Sequence, residues 1–287
     1  MSEFGDGIEI GPDFVRFNQR DDIFNRADWD PEVTSAKAAA FYQGYYMSGA
    51  KVRPVDGFTV RDYAYRNASW HIADVFADLK RDQGRHEGFT DPFTAYLAQY
   101  IKNLGYRAYA SMNDSALAIP IAIQAGLGEY GRNGLLITPE FGPRLRVGRV
   151  YTDLPLVADR PRTFGVKQFC DQCRRCADAC PVKAIPFDPP SAVRHDRSNL
   201  IGVTKWTVNA ARCFGFWVNQ NTDCSICIRV CPFNRDYSRW YNRWWRTLAA
   251  TRLRGWLERA DRWFGRGERV PASQWWDRVR RAVSGGS

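Results

Sequence analysis

The sequence predicts an α+β protein, in which helices and short strands form a core and a small C-terminal domain folds around metal. Three observations predict this class. Amphipathic helical segments occupy the first half, short apolar strands follow them, and all eight cysteines lie within residues 170–231. A chain of 287 residues is long enough for one large domain and one small one.

We divide the chain into four segments. Residues 1–60 are predicted to form an N-terminal arm, 61–160 a core of helices and strands, 161–235 the metal domain and 236–287 a basic helical tail. The arm is rich in glycine and proline turn signals and contains one clear helical stretch, Val33–Met47.

Elements of the core are predicted from the spacing of apolar residues. These residues recur at helical spacing in Arg61–Lys80 and in Pro92–Leu104, and Gly105 suits the positive φ that ends a helix. Shorter apolar runs predict strands at 107–111, 135–138 and 147–152.

The cysteines form two similar runs that predict iron–sulfur clusters. The first run is Cys170-x2-Cys173-x2-Cys176-x3-Cys180-Pro181, Cys213 stands alone, and the second run is Cys224-x2-Cys227-x3-Cys231-Pro232. In bacterial ferredoxins such a run brings three thiolates to one cube, and its fourth cysteine binds the other cube. One [4Fe–4S] cluster is therefore assigned to Cys170, Cys173, Cys176 and Cys231. The second is assigned to Cys180, Cys213, Cys224 and Cys227.

Zinc and disulfide bonds are the alternative interpretations of the cysteines. Two four-cysteine zinc sites could use all eight thiols, although zinc sites usually pair cysteines rather than place three at this spacing. Disulfides belong to oxidising compartments, and no export signal is visible at the N-terminus. The spacing therefore favours iron–sulfur clusters in a reducing compartment, and we expect a soluble, cytoplasmic protein.

Positive charge and tryptophan are concentrated at the C-terminal end. The net charge is +10, and residues 239–287 hold 12 Arg, four acidic residues and seven of the 11 Trp. Such a segment suits an acidic partner, an anionic membrane surface or nucleic acid. The simplest alternative is a solvated helix face.

Several short strings between the core and the metal domain occur together. They are Leu104-Gly105-Tyr106-x-Ala108, Asn113-Asp114, Ala125-Gly126-Leu127-Gly128-Glu129-x-Gly131-Arg132-Asn133-Gly134, Ile137-Thr138-Pro139-x-Phe141-Gly142 and Thr152-Asp153-Leu154-Pro155-Leu156. With the two cysteine runs, they resemble the non-exported branch of the corrinoid and iron–sulfur reductive dehalogenases, to which the epoxyqueuosine reductases are related. The resemblance runs from about Leu104 to Asn234, and the combination of strings is specific although each string alone is not.

The resemblance implies a fold and a route for electrons. The fold would be a shortened α/β corrinoid-reductase-type core with a C-terminal ferredoxin-like domain that carries two [4Fe–4S] clusters. Electrons would pass from a low-potential donor, such as a ferredoxin, a flavodoxin or a reductase, through both clusters to a corrinoid (cobalamin). The reduced corrinoid would remove halide from a small organohalide. The corrinoid-binding residues would come from the glycine-rich string: Gly126, Gly128, Glu129, Gly131, Arg132, Asn133 and Gly134.

The resemblance also implies catalytic residues. Asn113 and Arg146 match polar active-site positions, where the fixed charge of Arg146 would assist proton transfer or hold the departing halide. The family's proton-donating Tyr lies in a Gly-Tyr-Ser-like turn, whereas the nearest equivalent in this chain is Gly88-Phe89-Thr90. Phe89 has no proton to donate, so the proton would come from another Tyr or from water.

Two other functions remain open at this stage. An epoxyqueuosine reductase-like enzyme would modify transfer RNA, but that family has Trp and Lys where Glu129 and Arg132 stand in this chain. Nucleic acid is therefore not the expected partner. A two-cluster electron-transfer protein without a corrinoid would explain the short N-terminal half.

Overall fold

The computed structural model describes most of the chain from residue 92 onwards. The described ranges are 8–18, 92–111, 117–145, 147–220 and 224–268, with isolated positions at 21–23, 26, 30–33, 35 and 37. The expected helix Arg61–Lys80 and the candidate residues Phe89, Asn113 and Arg146 lie outside the described residues, as does most of Val33–Met47.

Short helices alternate with short strands through the described ranges. The helices are α1 (Pro92–Asn103), α2 (Ala118–Gln124), α3 (Val166–Gln172), α4 (Arg175–Ala179), α5 (Ala210–Gln220), α6 (Ile226–Arg229), α7 (Trp240–Ala249) and α8 (Arg254–Trp263). The strands are β1 (Glu9–Val15), β2 (Ala108–Ser111), β3 (Glu129–Tyr130), β4 (Leu136–Ile137), β5 (Arg149–Thr152) and β6 (Ile201–Thr204).

The strands pair in three antiparallel ladders of two strands each. β1 pairs with β6, β2 with β5 and β3 with β4. In the last ladder Glu129 lies opposite Ile137, and Tyr130 lies opposite Leu136. This mixture of helices and antiparallel ladders confirms the α+β class, whereas the predicted α/β arrangement of the core stays a prediction.

The unit formed by α1, β2 and β5 follows the sequence closely. The helix ends at Asn103, and Gly105 adopts a φ of 95°, as a glycine after a helix end was expected to do. Ala108 of β2 lies opposite Thr152 of β5, and α1 buries Ala98 and Ile101 against this ladder. The predicted helix at 92–104 and the strands at 107–111 and 147–152 are therefore present, with slightly narrower bounds.

One apolar core connects the metal domain with the tail helices. Phe169 of α3, Phe233 after α6 and Trp245 of α7 form an aromatic triad, with ring centroids 5.2 to 5.4 Å apart. Leu257 of α8 joins the same buried cluster as Cys170. The first half of the tail thus packs directly on the metal domain.

A buried ion pair fixes α8 on this core. Arg235 donates to the carboxylate of Asp261, and both side chains are almost completely buried. The Arg235 guanidinium also lies 3.9 Å from the centroid of the Trp245 ring. The proposed boundary at 235/236 stays a prediction, and tight packing crosses it.

Among the described residues, none of the helices combines the length and the apolar character that a membrane crossing requires.

The hairpin of β3 and β4 requires a glycine at position 128. A Cβ at Gly128 would lie 2.2 Å from the carbonyl oxygen of Ile137, which is backbone and cannot move aside. We expect Gly128→Ala to lower the free energy of unfolding by roughly 1–3 kcal/mol, the usual cost of overpacking. Chemical denaturation of the cluster-loaded protein measures it.

Gly215 offers a matched control for that substitution. It lies inside α5, and a Cβ there would meet no atom within 4 Å. Gly215→Ala should therefore raise the free energy of unfolding by about 0.5–1 kcal/mol, because alanine loses less backbone entropy in a helix. Equal stability losses in the two variants would contradict the close contact at Gly128.

Candidate metal centre

Short helices place the cysteines of both runs. Cys170 lies in α3, which ends at Cys173, and Cys176 lies in α4, which ends at Cys180. The lone Cys213 lies on α5. In the second run, Cys224 precedes α6, Cys227 lies within it and Cys231 follows it. All eight are free thiols.

The cysteines fall into two neighbouring groups of four. The charges that raise the pKa of Cys176 are those of Cys170, Cys231, Cys173 and then Cys227, whereas Cys213 is affected by Cys227, Cys180 and Cys224. We name Cys170, Cys173, Cys176 and Cys231 the inner thiol group. We name Cys180, Cys213, Cys224 and Cys227 the outer thiol group. These are the two sets that the ligand spacing predicts, and their assignment as cluster ligands stays a prediction.

Burial makes the inner thiol group poor at carrying charge without a cation. It raises the pKa of Cys170 to about 12 and that of Cys173 to about 11. Burial, followed by the charge of Cys170, also raises the pKa values of Cys176 and Cys231 well above that of an ordinary thiol. Four thiolates could exist together at this place only with bound metal, since a coordinating thiol is deprotonated outright.

The outer thiol group is closer to the surface. All four of its cysteines are partly exposed, whereas Cys170, Cys173 and Cys176 are buried. Burial and the charges of neighbouring thiols still raise the pKa of Cys213 to about 12 and that of Cys227 to about 11. The Ala184 N–H donates to Cys180 Sγ at 3.3 Å.

A small apolar cavity is lined by the four cysteines of the inner group. Besides the four cysteines, its lining consists of Arg132, Asn133, Ile137, Phe169, Pro232 and Phe233. Among the described residues, no three Cys, His, Asp or Glu side chains form a group that could hold a single metal ion. The four cysteines that line the cavity are the ligands that one [4Fe–4S] cluster requires.

Arg132 holds the loops on both sides of the inner thiol group. Its Nε and Nη2 donate to the Cys170 carbonyl at 3.0 and 2.9 Å. Its Nη1 donates to the carbonyls of Pro186, Phe187 and Asp188 at 2.9 to 3.0 Å. The side chain is 1% exposed, so one buried guanidinium joins the first cysteine run to the loop that follows Cys180.

Glu129 holds the beginning of α3. Its carboxylate accepts the N–H groups of Phe164 at 2.5 Å and Val166 at 3.2 Å, and its side chain is 2% exposed. A negative charge at a helix N-terminus satisfies free N–H groups and favours the helix dipole. Glu129 therefore orients the helix that carries Cys170.

The glycine-rich string approaches the protein's own backbone. A Cβ at Gly126 would lie 2.6 Å from the Arg160 carbonyl oxygen, and Gly128 is equally close to Ile137. Cβ atoms at Gly131 and Gly134 would meet the side chains of Ile137 and Val208. The described residues of this string thus contact protein atoms, and their predicted role in holding a corrinoid stays a prediction.

A second cavity, of about 360 Å³, lies beside the outer thiol group. Lys183, His195 and Arg212 contribute positive or titratable groups to its lining, and Asp188 contributes one acid. It lies near the outer cysteines, because Ala184 contacts Cys180 and Arg212 precedes Cys213 in α5. No sequence motif marks this cavity, since its lining comes from three separate stretches of the chain, 183–188, His195 and 209–212.

The aromatic wall of the inner cavity was also missed. Phe169 and Phe233 stand next to cysteine positions in the chain, and this adjacency is the signal that could have found them. Trp245 lies far from both runs in the sequence. Its place behind the two phenylalanines depends on how α7 packs.

Comparison with known proteins supports a two-cluster domain. The family described as "4Fe-4S double cluster binding domain" matches residues 169–234. A tetrachloroethene reductive dehalogenase of Desulfitobacterium hafniense is 46% identical over 143 residues, which are 48% of this chain and 26% of that protein. An epoxyqueuosine reductase of Lactococcus garvieae is 29% identical over 144 residues, which are 44% of this chain and 35% of that protein.

A solved structure shares the fold of this part of the chain. The catabolic reductive dehalogenase NpRdhA, solved in complex with 3-bromo-4-hydroxybenzoic acid, superposes with a TM-score of 0.54 at 31% sequence identity. The match covers 61% of this chain and 25% of NpRdhA. The resemblance to reductive dehalogenases, with epoxyqueuosine reductases as relatives, is therefore confirmed. The chain spans only about a quarter of the reductive dehalogenases described here.

The ligand assignment predicts the metal content of the protein. Anaerobically purified protein should contain about eight iron and eight sulfide per chain, as two cubes with four cysteine ligands each. Cys231→Ser should damage the cluster of the inner thiol group, and Cys180→Ser that of the outer group. Metal analysis and electron paramagnetic resonance (EPR) spectra of the two variants measure this. One zinc per thiol group with negligible iron, or loss of the same EPR signal in both variants, would contradict the assignment.

Proposed function

We propose that this chain is a reductive dehalogenase-like oxidoreductase that passes electrons through two [4Fe–4S] clusters to a corrinoid, at which halide leaves a small organohalide. The observation that carries the proposal is the pair of adjacent four-thiol groups. Three of the four inner cysteines are buried, whereas all four outer cysteines are partly exposed. The similarity to tetrachloroethene reductive dehalogenase over the same part of the chain supports the reaction class.

Electrons would enter at the outer thiol group and leave from the inner one. The outer cysteines are partly exposed, so a donor could approach their cluster closely. The nearby cavity carries Lys183, His195 and Arg212, a lining that suits an acidic ferredoxin or flavodoxin because complementary charge speeds and orients association. Cys227 is an electrostatic neighbour of both Cys176 and Cys213, so the two clusters would stand side by side.

The proposal of a corrinoid rests on the relatives of this chain. A structure titled for "B12-dependent dehalogenation" matches this chain at the same TM-score of 0.54. When bound, a corrinoid would supply the reducible cobalt at which halide leaves. The described residues do not form a cradle for it, because the protein's own backbone and the side chains of Ile137 and Val208 occupy the space beside the glycines of the string. Asn113 and Arg146 are the proposed orienting amide and the proposed cation for the leaving halide.

Two alternative functions are each favoured by one observation. A two-cluster electron carrier without corrinoid is favoured by the glycine string, which contacts the protein's own atoms. An epoxyqueuosine reductase-like enzyme is favoured by the similarity to that enzyme of Lactococcus garvieae. Against it, Arg132 and Glu129 are committed to the backbone around Cys170 and do not stand free for a substrate.

Reconstitution with hydroxocobalamin separates these functions. The cluster-loaded protein should bind the corrinoid in a base-off form, visible in the absorption spectrum, and should release halide from an aryl or alkyl halide with a strong reductant. Arg146→Ala should slow halide release by roughly tenfold or more, a loss of about 1.4 kcal/mol in transition-state stabilisation.

The control for that assay is Arg107, an exposed Arg that pairs with Asp153. Arg107→Ala should leave halide release unchanged. A protein that holds both clusters but shows no base-off spectrum would be a carrier. Turnover of epoxyqueuosine transfer RNA without halide release would favour the alternative enzyme.

We also propose that the tail helices dock on an anionic membrane surface. The described part of the tail exposes the rings of Trp240, Trp244, Trp256 and Trp263, and Trp263 is 84% exposed. Arginines stand between them along α7 and α8. Tryptophan prefers the boundary between water and lipid, and arginine is attracted to anionic headgroups.

Vesicle co-sedimentation tests the docking. Binding to vesicles with anionic lipid should weaken steeply as salt rises, because exposed charges are screened over about 8–10 Å near physiological ionic strength. Replacing Trp240 and Trp244 with Ser should reduce binding. Replacing Tyr96 and Tyr100, exposed rings on α1, should not. Equal loss in both variants, or salt-insensitive binding, would contradict it, and binding only to an acidic protein would favour a protein partner.

A further inference from the structure

The side-chain amide of Asn133 is buried, and only one of its two polar atoms has a hydrogen-bond partner among the described residues. Asn133 is 7% exposed, and its Oδ1 accepts the Leu135 N–H at 3.3 Å. Its Nδ2 is buried and has no hydrogen-bond partner among the described residues. A buried donor without a partner costs roughly 1–3 kcal/mol, so such a group requires an explanation.

The orientation of this amide follows from its neighbour. A flipped amide would point its NH2 group at the Leu135 N–H, and two donors would then face each other. The contact with Leu135 therefore assigns the oxygen, and the nitrogen remains as the free end of the side chain. The turn between β3 and β4 fixes its position, since Gly131 N–H bonds to the Leu135 carbonyl at 3.0 Å.

Asn133 shares a cavity with the inner thiol group. It lines the same apolar cavity as Cys170, Cys173, Cys176 and Cys231. The adjacent Arg132 holds the Cys170 carbonyl with two nitrogens, so the turn and the first cysteine run are fixed relative to each other. A donor that cannot move away, placed beside four sulfur ligands, is preorganised for a hydrogen bond to sulfur.

We propose that the Asn133 Nδ2–H group donates a hydrogen bond to a sulfur of the inner [4Fe–4S] cluster and raises the reduction potential of that cluster. Hydrogen bonds to the sulfurs are one of the protein's means of setting a cluster's potential. Reduction adds negative charge to the cluster, and a donor stabilises the more negative state. The inference rests on the two-cluster part of the proposed function and is independent of the corrinoid and of the organohalide.

This hydrogen bond would favour inward electron transfer. Among the described residues, the donors to sulfurs of the outer thiol group, such as the Ala184 and Ile228 N–H groups, belong to the backbone. A side-chain donor to a sulfur of the inner cluster raises the reduction potential of that cluster and not that of the outer one. The inner cluster then accepts an electron from the outer cluster more readily, which is the direction that the proposed function needs.

Potentiometric titration followed by EPR tests the proposal on the full chain with both clusters loaded. Asn133→Leu keeps the number and the branching of the side-chain heavy atoms and removes the donor. This variant should shift the midpoint potential of one cluster to more negative values and leave the other unchanged. The Cys231→Ser variant identifies which signal belongs to the inner cluster.

Asn199 supplies a matched control. It is also 7% exposed, but its Nδ2 already donates to the Val208 carbonyl at 3.2 Å. Asn199→Leu should leave both midpoint potentials unchanged although it removes an equally buried amide. A shift of the same size in this variant, or a shift of the outer cluster in Asn133→Leu, would overturn the proposal.

A direct readout covers the case in which a variant fails to load its clusters. Wild-type protein labelled with ¹⁵N-asparagine should show a ¹⁵N hyperfine coupling to the reduced inner cluster in pulsed EPR. No such coupling, with both clusters present, would overturn the proposal and leave the two-cluster function standing. Wild-type protein that binds no clusters at all would instead overturn the proposed function.

Discussion

The cluster region depends on one buried cation, the guanidinium of Arg132. Among the described residues its partners are backbone carbonyls and the face of Trp206, whose ring centroid lies 4.9 Å away. A buried charge is costly unless hydrogen bonds and opposite charge surround it. The carbonyls supply the hydrogen bonds, and the thiolates of the inner group would supply the charge. In return, Arg132 partly offsets the effect of burial, which still raises the pKa of Cys170 to about 12.

The difference in burial between the two thiol groups favours one direction of electron transfer, from the outer group to the inner one. Solvent exposure and hydrogen bonds to sulfur both affect the potential of a cluster. The Phe169 and Phe233 rings line the cavity of the inner group, with Trp245 packed behind them. The outer group has partly exposed sulfurs and a neighbouring cavity with basic residues. An electron donor would therefore reach the outer cluster, and the inner cluster would pass the electron on to the corrinoid.

Ligand spacing predicted the two thiol groups because each cysteine's position in its run decides which cube it can reach. Local patterns likewise predicted α1, the glycine after it and the strands around it. The roles of Glu129 and Arg132 could not be predicted in this way. Their partners, such as Val166 and Asp188, lie 37 and 56 residues away, and a glycine-rich string with two charges suits a ligand as well as a backbone contact.

Prediction from sequence is limited in the tail as well. The composition of the tail predicts helices, but it does not predict which face of each helix is buried. Aromatic rings lie on both sides of α7, where Trp244 is exposed and Trp245 is buried. Arg235 decides between them, because it reaches Asp261 on α8 and stacks on Trp245. Once Trp245 is inside, Trp240 and Trp244 face outwards on the same helix. The packing of Trp245 against Phe169 and Phe233 is thus also what sets the other tryptophans of α7 on the surface.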